Sequence, residues 1–338
     1  MNYYIKIATI NKAKKDIDTV VEQLGYANLS KVQCGDGGIG RFLTKLLAMV
    51  NILTTLKRDD VLFLQYPMKK FYKMACTLAH LKGAKVVTVI HDLGAFRRHK
   101  LTPEQENRLF SKTDFLIAHN PTMTEYLQQH GFQGGVHHLG IFDYLSAKPV
   151  RQPNAQPHDP WRIVYAGNLG VWRNEFLYHL DTAIKHWTLD LYGKGFEPKR
   201  NNCQKLTYHG FIDSDEFIER VNADFGLVWD GASVDECNGA WGEYLKINNP
   251  HKTSFYLRAG IPVIVWSKSA MAPFIRKNGL GLTVDSLAKI DSHLEQLTPE
   301  QYQAMRANAY TIGQKLATGS HIKRGLDAAQ EYFKDHAE

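Results

Sequence analysis

The stretch that most narrows the folds open to this chain is Asn248-Asn-Pro-His-Lys-Thr-Ser-Phe-Tyr-Leu-Arg-Ala-Gly-Ile-Pro-Val-Ile-Val-Trp266. It reads as a short helix, a glycine stop and a buried strand. Asn249 is suited to cap the helix and Pro250 to take its first position, where a missing N–H costs nothing. Gly260 ends it, because a left-handed residue there carries little penalty for glycine. Residues 261–266 form an apolar, β-branched run of the kind that a parallel sheet buries on both faces. A helix starting this way leaves the backbone N–H groups of His251, Lys252 and Thr253 unused, and Lys252 adds a full positive charge. Together they suit a phosphate or diphosphate. A capped helix with an incidental surface lysine accounts for the same residues.

The same alternation runs along the rest of the chain. In the first half, strands are expected at 3–10, 32–34, 61–65, 84–90 and 115–119. Helices are expected at 16–24, from Arg41 through Leu53, and at 71–82, 103–111 and 121–130. In the second half, strands are expected at 162–166, 189–192, 206–209, 225–229 and 281–284, and helices at 175–186, 215–221, 273–277, 299–316 and 322–333. Strand–helix–strand alternation implies an α/β fold with parallel strands and covering helices. Residues 146–160 carry prolines and polar residues without periodicity and read as a linker. The expected domains are 1–148 and 161–316, with 149–160 between them and 317–338 after them. Two such domains facing each other make a cleft between them the default ligand site.

With 338 residues, 44% hydrophobic and 22% charged, the chain has the size and composition of a soluble enzyme with two domains. It has no apolar run long enough to cross a bilayer, and Met-Asn-Tyr-Tyr-Ile-Lys lacks the plan of a signal peptide. The cysteines, Cys34, Cys76, Cys203 and Cys237, are scattered and suggest neither a zinc site nor disulfides. A cytoplasmic protein is expected. The net charge of +7 favours anionic partners. Basic patches with aromatics at 69–73 and 96–100 suit a membrane surface as well as a solvated face. Nucleic acid is not expected, because the basic residues do not gather on one helix or sheet face.

Several short motifs bear on chemistry. Gly35-Asp-Gly-Gly-Ile-Gly40 spells the dinucleotide fingerprint, but that fingerprint belongs after the first strand of its unit, and 3–10 is the stronger first strand. A glycine loop that lets a ligand approach the backbone fits better. Tyr165-Ala-Gly-Asn-Leu-Gly-Val-Trp-Arg173 places Asn168 and free N–H groups at a strand's carboxyl end. Arg173 is able to neutralise a diphosphate there, or simply to sit on a surface helix. Tyr208-His-Gly-Phe211-Ile ends a strand with an aromatic that can stack on a base. Asp213-Ser-Asp215 resembles a metal–nucleotide signature, yet helix capping explains it, and no metal site is expected. His91-Asp92 closes the strand at 84–90 and offers a base for an attacking hydroxyl, or a cap for the next turn. Asp230 ends the strand at 225–229, where a carboxylate can hold sugar hydroxyls. Residues 231–242 read as a loop.

The order of these motifs is more specific than any one of them. Gly-rich loop, His-Asp strand end, Tyr-x-Gly-Asn-Leu, His-Gly-Phe, Gly-Leu-Val-Trp and Asn-x-Pro-His-Lys-x-Ser-x-Tyr-Leu-x-Ala-Gly-Ile-Pro-Val-Ile resemble the GT-B glycosyltransferases. The nearest likeness is to the bacterial group of glucosyltransferase 3 and the β-1,6-galactofuranosyltransferases, and it is strongest over 163–282. The resemblance implies two Rossmann-like domains facing across a cleft, with the C-terminal one holding a nucleotide-sugar and the last helix crossing back to the first. It implies metal-independent hexosyl transfer, glucosyl or galactofuranosyl, from a UDP-sugar. Donor contacts would come from Arg173, Lys252 and Thr253, with Asn168 at the strand-end loop, Phe211 near uracil, and Asn248 or Asn249 by the phosphates or ribose. Asp230 and Tyr244 complete that set, and Gly37 and Gly38 approach from the first domain. Asp92, with His91, is the candidate catalytic base. The chain lacks the pair of glutamates seven residues apart that many GT-B enzymes carry on the helix beginning here at Asn-Pro-His-Lys, so a retaining mechanism is not carried over.

No cofactor is implied, the UDP-sugar being substrate. The expected acceptor is a saccharide, a glycoprotein or a lipid-linked saccharide, the last suited to the basic, aromatic patches through peripheral contact at the inner membrane face. A homo-oligomer stays open. A UDP-sugar 2-epimerase of the same architecture and a non-catalytic glycan-binding protein are the rival readings.

Overall fold

A computed structural model describes residues 1–68, 70–97, 101–153 and 156–336. Lys69 of the first basic patch, Arg98, His99 and Lys100 of the second, two positions of the expected linker and the last two residues lie outside the described residues. The chain divides into two units, Met1–Asp143 with Gly319–Glu338, and Tyr144–Thr318.

The first unit runs β1 (Asn2–Tyr4), α1 (Lys12–Gln23), β2 (Ala27–Asn28), α2 (Gly38–Thr55), β3 (Val61–Tyr66), α3 (Phe71–Leu81), β4 (Lys85–Ile90), α4 (Gly94–Arg97), α5 (Pro103–Phe110), β5 (Phe115–Ala118), α6 (Pro121–Gln129) and β6 (Gly135–His138). Its sheet has the order β2-β1-β3-β4-β5-β6 with every pair parallel. The central strands are buried apolar runs, as their composition requires. Three expectations fail near the N-terminus. The first strand stops at Tyr4 rather than reaching residue 10, and the Lys6 N–H leaves the ladder for the Ser30 hydroxyl at 2.8 Å. The first helix begins at Lys12, not 16, because Asn11 caps it by accepting from the Lys14 N–H. The second strand is the pair Ala27–Asn28, and residues 32–34 are irregular.

The second unit runs β7 (Trp161–Asn168), α7 (Val171–Asn174), a 3-10 turn at Glu175–Tyr178, β8 (Trp187–Lys194), β9 (Leu206–Tyr208), α8 (Ser214–Arg220), β10 (Phe225–Val228), α9 (Gly239–Leu245), α10 (His251–Arg258), β11 (Val263–Trp266), α11 (Ala272–Lys277), β12 (Gly281–Val284), α12 (Ile290–Glu295) and α13 (Pro299–Leu316). The sheet order is β12-β11-β10-β7-β8-β9, again all parallel. Trp187, Trp229 and Trp266 are fully buried in its core. The helix expected at 175–186 is absent. The chain turns instead, and the Asp291 carboxylate takes the N–H groups of Lys185 and His186 at 3.2 and 2.7 Å. The expected loop at 231–242 ends early, since α9 begins at Gly239.

The final helix, α14 (Ser320–Asp335), packs within the first unit. Its entry residue Gly319 is left-handed, with φ of 70°, and a side chain there would run into Val20. The buried Asp143 carboxylate caps the helix by accepting from the backbone N–H groups of His321 and Ile322. Burial pushes the Asp143 carboxyl up to about 6.

Candidate functional site

In the second sheet the chain leaves β7 toward β8 and β9, then returns on the other side of β7 as β10. The carboxyl ends of β7 and β10 therefore flank a topological switch point, where open α/β sheets bind ligands. Pairing between the two strands covers Phe225–Ile163 and Gly226–Val164. Just beyond it, the Ala166 N–H donates to the Tyr256 hydroxyl at 2.7 Å, and the Tyr165 hydroxyl donates to the Trp229 carbonyl at 2.8 Å. Two tyrosines thus hold the strand ends at the switch point.

Arg173 and Asp230 meet there. The Arg173 guanidinium donates Nε to Asp230 Oδ1 at 2.7 Å and Nη2 to Oδ2 at 2.8 Å, and lies over the Trp241 ring at 4.1 Å. The sequence reading gave these residues separate tasks, whereas the structure joins them in a two-point ion pair. The pair cancels its own charge and fixes the guanidinium.

Lys252, on the first turn of α10, is the cation left over. Its Nζ is buried, has no hydrogen-bond partner among the described residues, and lies 3.4 Å from the centre of the Tyr165 ring. Loss of hydration pushes the ammonium down to about 7, opposed by Asp230 and reinforced by Arg173. Gly167 lies beside it at φ of 125°, a conformation that favours glycine. Close by in sequence, Asn248 Oδ1 and Thr253 Oγ1 are two more buried polar atoms with no hydrogen-bond partner among the described residues. Buried polar groups are nearly always satisfied, so three orphans around one helix start mark a place built to receive a polar ligand.

The start of α10 itself needs correction. Asn249 is not its cap; Pro250 stands at that position, with the helix beginning at His251. The Thr253 N–H is not free either, because it donates to the Pro250 carbonyl at 3.0 Å. Asn249 is buried at the end of the preceding turn, and Gly260 closes the helix at φ of 71°. Asn168 Oδ1 accepts from the Gly170 N–H at 2.9 Å, and its carbonyl accepts from Asn174 Nδ2 at 2.7 Å, so this side chain shapes the loop after β7. Phe211 is 65% exposed beyond β9, with Lys194 Nζ 4.7 Å from its ring centre. Tyr244 is buried on α9. Asp213 caps α8 by accepting from the Asp215 N–H at 2.9 Å, which is the helix-end role its spacing suggested.

The first sheet has its own switch point, between β1 and β3. A cavity of about 590 Å³ opens there, lined among others by Lys14, Asp18, Gly38, Arg41, Lys45 and Gln65. His91 and Asp92, just past β4, are half-buried. The Gln65 amide is fixed in orientation, because its Nε2 donates to Asp18 Oδ1 at 2.6 Å and to the Lys14 carbonyl at 3.3 Å. Its Oε1 therefore accepts from His91 Nε2, at 2.7 Å. His91 is thus linked through Gln65 to Asp18, whose carboxyl burial pushes up to about 7. Lys14 is pushed down to about 8, also by burial. The sequence reading missed Lys14, Asp18 and Gln65. The available signal was a glutamine ending an apolar strand, Val-Leu-Phe-Leu-Gln65, where a buried amide demands partners.

The glycine loop follows β2, an edge strand, rather than β1, which is the wrong place for a dinucleotide fingerprint. Gly37 and Gly38 face open space, and Gly38 lines the cavity. Gly40 is different in kind, as a Cβ there would lie 2.5 Å from the carbonyls of Cys34 and Gly35.

Residues 2–141 match the family model for the glucosyltransferase 3-like N-terminal domain, and residues 163–329 match that for the glucosyltransferase 3-like C-terminal domain. The beta-1,6-galactofuranosyltransferase WbbI of Escherichia coli K12 is 33% identical over 329 residues, covering 96% of this chain and 94% of that protein. Glucosyltransferase 3 of Streptococcus gordonii is 27% identical, covering 94% and 93%. Among solved structures, Anabaena Alr3699/HepE in complex with UDP and glucose superposes with a TM-score of 0.61 at 10% identity, covering 97% of this chain and 98% of that one. The N-terminal domain of Candida albicans trehalose-6-phosphate phosphatase gives 0.53 at 10% identity, with 96% and 89% covered. At such identities the structural likeness speaks to fold alone, the two Rossmann-like units of a GT-B chain.

Proposed function

The chain belongs to the glucosyltransferase 3-like family, and from that premise we propose that it moves a hexosyl group, glucosyl or galactofuranosyl, from a UDP-sugar to a saccharide hydroxyl. The observation that carries the reading is the buried ammonium of Lys252 at the second switch point, which has no hydrogen-bond partner among the described residues. Breaking the bond between sugar and UDP develops negative charge on the leaving diphosphate. A fixed cation in a dry site stabilises that charge without reorganising as it forms. Lys252 meets the diphosphate, assisted by Thr253 Oγ1 and by the guanidinium that Asp230 holds in place. Asn248 and Asn249 border the phosphates or ribose, with Asn168 in the loop beside them, and exposed Phe211 offers a face for uracil. These charges are of the protein's own making, which is why we assign a metal-independent reaction.

We assign the acceptor to the first unit. Gln65 lines its cavity and bonds His91, and we take Asp92, the next residue, as the base, with His91 oriented by Gln65. Gly37 and Gly38 let a ligand approach the backbone. The acceptor belongs to polysaccharide or glycoconjugate synthesis, lipid-linked or protein-borne, and contact with the inner membrane face would be peripheral. Among the described residues no helix is long and apolar enough to cross a membrane. A 2-epimerase would isomerise the donor with no acceptor present. The curated relatives named above are both transferases, which favours transfer.

The test is to incubate the protein with UDP-glucose or UDP-galactofuranose in EDTA, with and without a panel of saccharide acceptors. The expected result is UDP release that depends on acceptor and persists in the chelator. Isomerised donor without acceptor would instead establish epimerisation.

A further inference from the structure

We propose that the outward face of α2 docks on a bilayer containing anionic phospholipid. Surface helices normally turn their apolar stripe inward. Of the 18 residues of α2, the buried ones are Thr44, Ala48, Met49 and Ile52. Phe42, Leu43, Leu46, Leu47, Val50 and Leu53 are instead between 41% and 51% exposed, and Ile39 at the helix start is 80% exposed. Leu43, Leu46, Leu47 and Val50 follow helical spacing, so they form a continuous stripe rather than scattered contacts. Met74 of α3, the helix packed beside α2, is exposed as well.

Charge decides the kind of partner. The helix carries Arg41 and Lys45 and no acidic residue, and the neighbouring α3 adds Lys70 at its cap position and Lys73 in its first turn. Lys70 Nζ lies 5.1 Å from the ring centre of Phe42 and 5.9 Å from that of Phe71, while Lys45 Nζ lies 5.8 Å from the latter. Phe42 is half-exposed and packs on the buried ring of Phe71, and Arg41, Lys45 and Lys70 line the cavity as well as this edge of the helix. An exposed aromatic beside ammonium groups and flanking an apolar stripe is the pattern of a helix lying in a membrane interface. Three neutral polar side chains of α2 are engaged by the chain's own backbone. Thr44 donates to the Gly40 carbonyl, Asn51 to the Leu29 carbonyl, and Thr54 to the Val50 carbonyl. The stripe from Ile39 to Leu53 offers apolar surface edged by positive charge, which matches acyl chains beneath anionic headgroups.

This inference deepens the membrane contact of the proposed function and locates it. Its test uses no transfer reaction, so the two fail separately. Full-length protein is sedimented with vesicles of phosphatidylcholine and phosphatidylglycerol in equal parts, and with vesicles of phosphatidylcholine alone. Two multiple variants are compared with it, Leu47→Ser/Val50→Ser/Leu53→Ser and Lys45→Glu/Lys73→Glu. All five positions are on the surface or half-exposed, and unchanged thermal melting confirms the fold. The expected result is binding to the mixed vesicles that falls with salt and drops by about tenfold or more in each variant. Absence of binding by the parent protein, or equal binding by the variants, overturns the proposal. So does light scattering that shows the parent as a multimer which the serine variant dissociates, since a second copy would then own the face.

Discussion

The two units present the same architectural feature, the switch point of a parallel sheet, and furnish it in opposite ways. At the second, Arg173 and Asp230 neutralise each other and leave Lys252 as a buried cation that rests on the Tyr165 ring with no hydrogen-bond partner among the described residues. At the first, the buried acid is the group out of place, as Asp18 is held by Gln65 and shifted toward neutrality. One site is prepared for an anion. The other avoids a full negative charge while surrounding a cavity with Lys14, Arg41 and Lys45. The lesson is that a fold supplies the place for chemistry, and a few buried titratable groups decide its sign.

The sharpest way to break this contrast is Lys252→Ala. It should fold normally, because the residue makes no hydrogen bond through its ammonium, yet lose turnover by a factor on the order of 10²–10³ in steady-state assays. Parental turnover would remove the distinction between the units. The pH profile sharpens the same point. The Lys252 ammonium titrates at about 7, so kcat/KM for the donor should decline as pH rises through that value. Residual activity of Lys252→Ala should lack that limb. Next in size is Asp230→Asn, which loosens Arg173 and should raise the donor KM by roughly tenfold with a smaller change in kcat.

Stability should show the two units as mirror images. Lys252 has a folded value of about 7 against 10.5 when unfolded, so the unfolded chain binds the extra proton between those values. Its contribution to stability is present above 10.5 and is lost as pH falls toward 7. Asp18 runs the other way, from 3.8 unfolded to about 7 folded, so its contribution is present below 3.8 and is lost as pH rises to 7. Asp18→Asn should therefore raise the melting temperature at pH 8 relative to the parent more than it does at pH 5. The smallest effect separates the glycines. Gly40→Ala should cost about 1–3 kcal/mol through its clash with two carbonyls, measurable by denaturant unfolding, while Gly38→Ala, facing open space, should stay within about 0.5 kcal/mol.

Much of this was readable in the residues. The apolar runs ending at Ile90 and Trp266 declare buried parallel strands, and Thr298-Pro299 and Gly260 mark helix ends through capping and left-handed freedom. The order of Tyr165-Ala-Gly-Asn, Gly226-Leu-Val-Trp and Pro250-His-Lys was enough to point to GT-B transferases, as the family comparison bears out. What escaped was set by partners distant in sequence. The Lys6 N–H is claimed by Ser30, the end of the expected helix at 175–186 is claimed by Asp291, and Gln65 acquires meaning only once Asp18 and His91 lie on either side of it. The pairing of Arg173 with Asp230 spans 57 residues and has no local signature. Nor does local sequence separate a buried lysine from an exposed one, so Lys252 was visible as a charge but not as an unpartnered one.

The measurement closest to the central claim is calorimetric titration with UDP and with uridine, in EDTA at pH 6.5, on the parent protein and on Lys252→Ala. If the buried ammonium receives the diphosphate, UDP affinity falls by tenfold or more in the variant while uridine affinity is unchanged. Equal UDP affinity in the two proteins would contradict the account, and a matching loss for uridine would place Lys252 against the nucleoside instead.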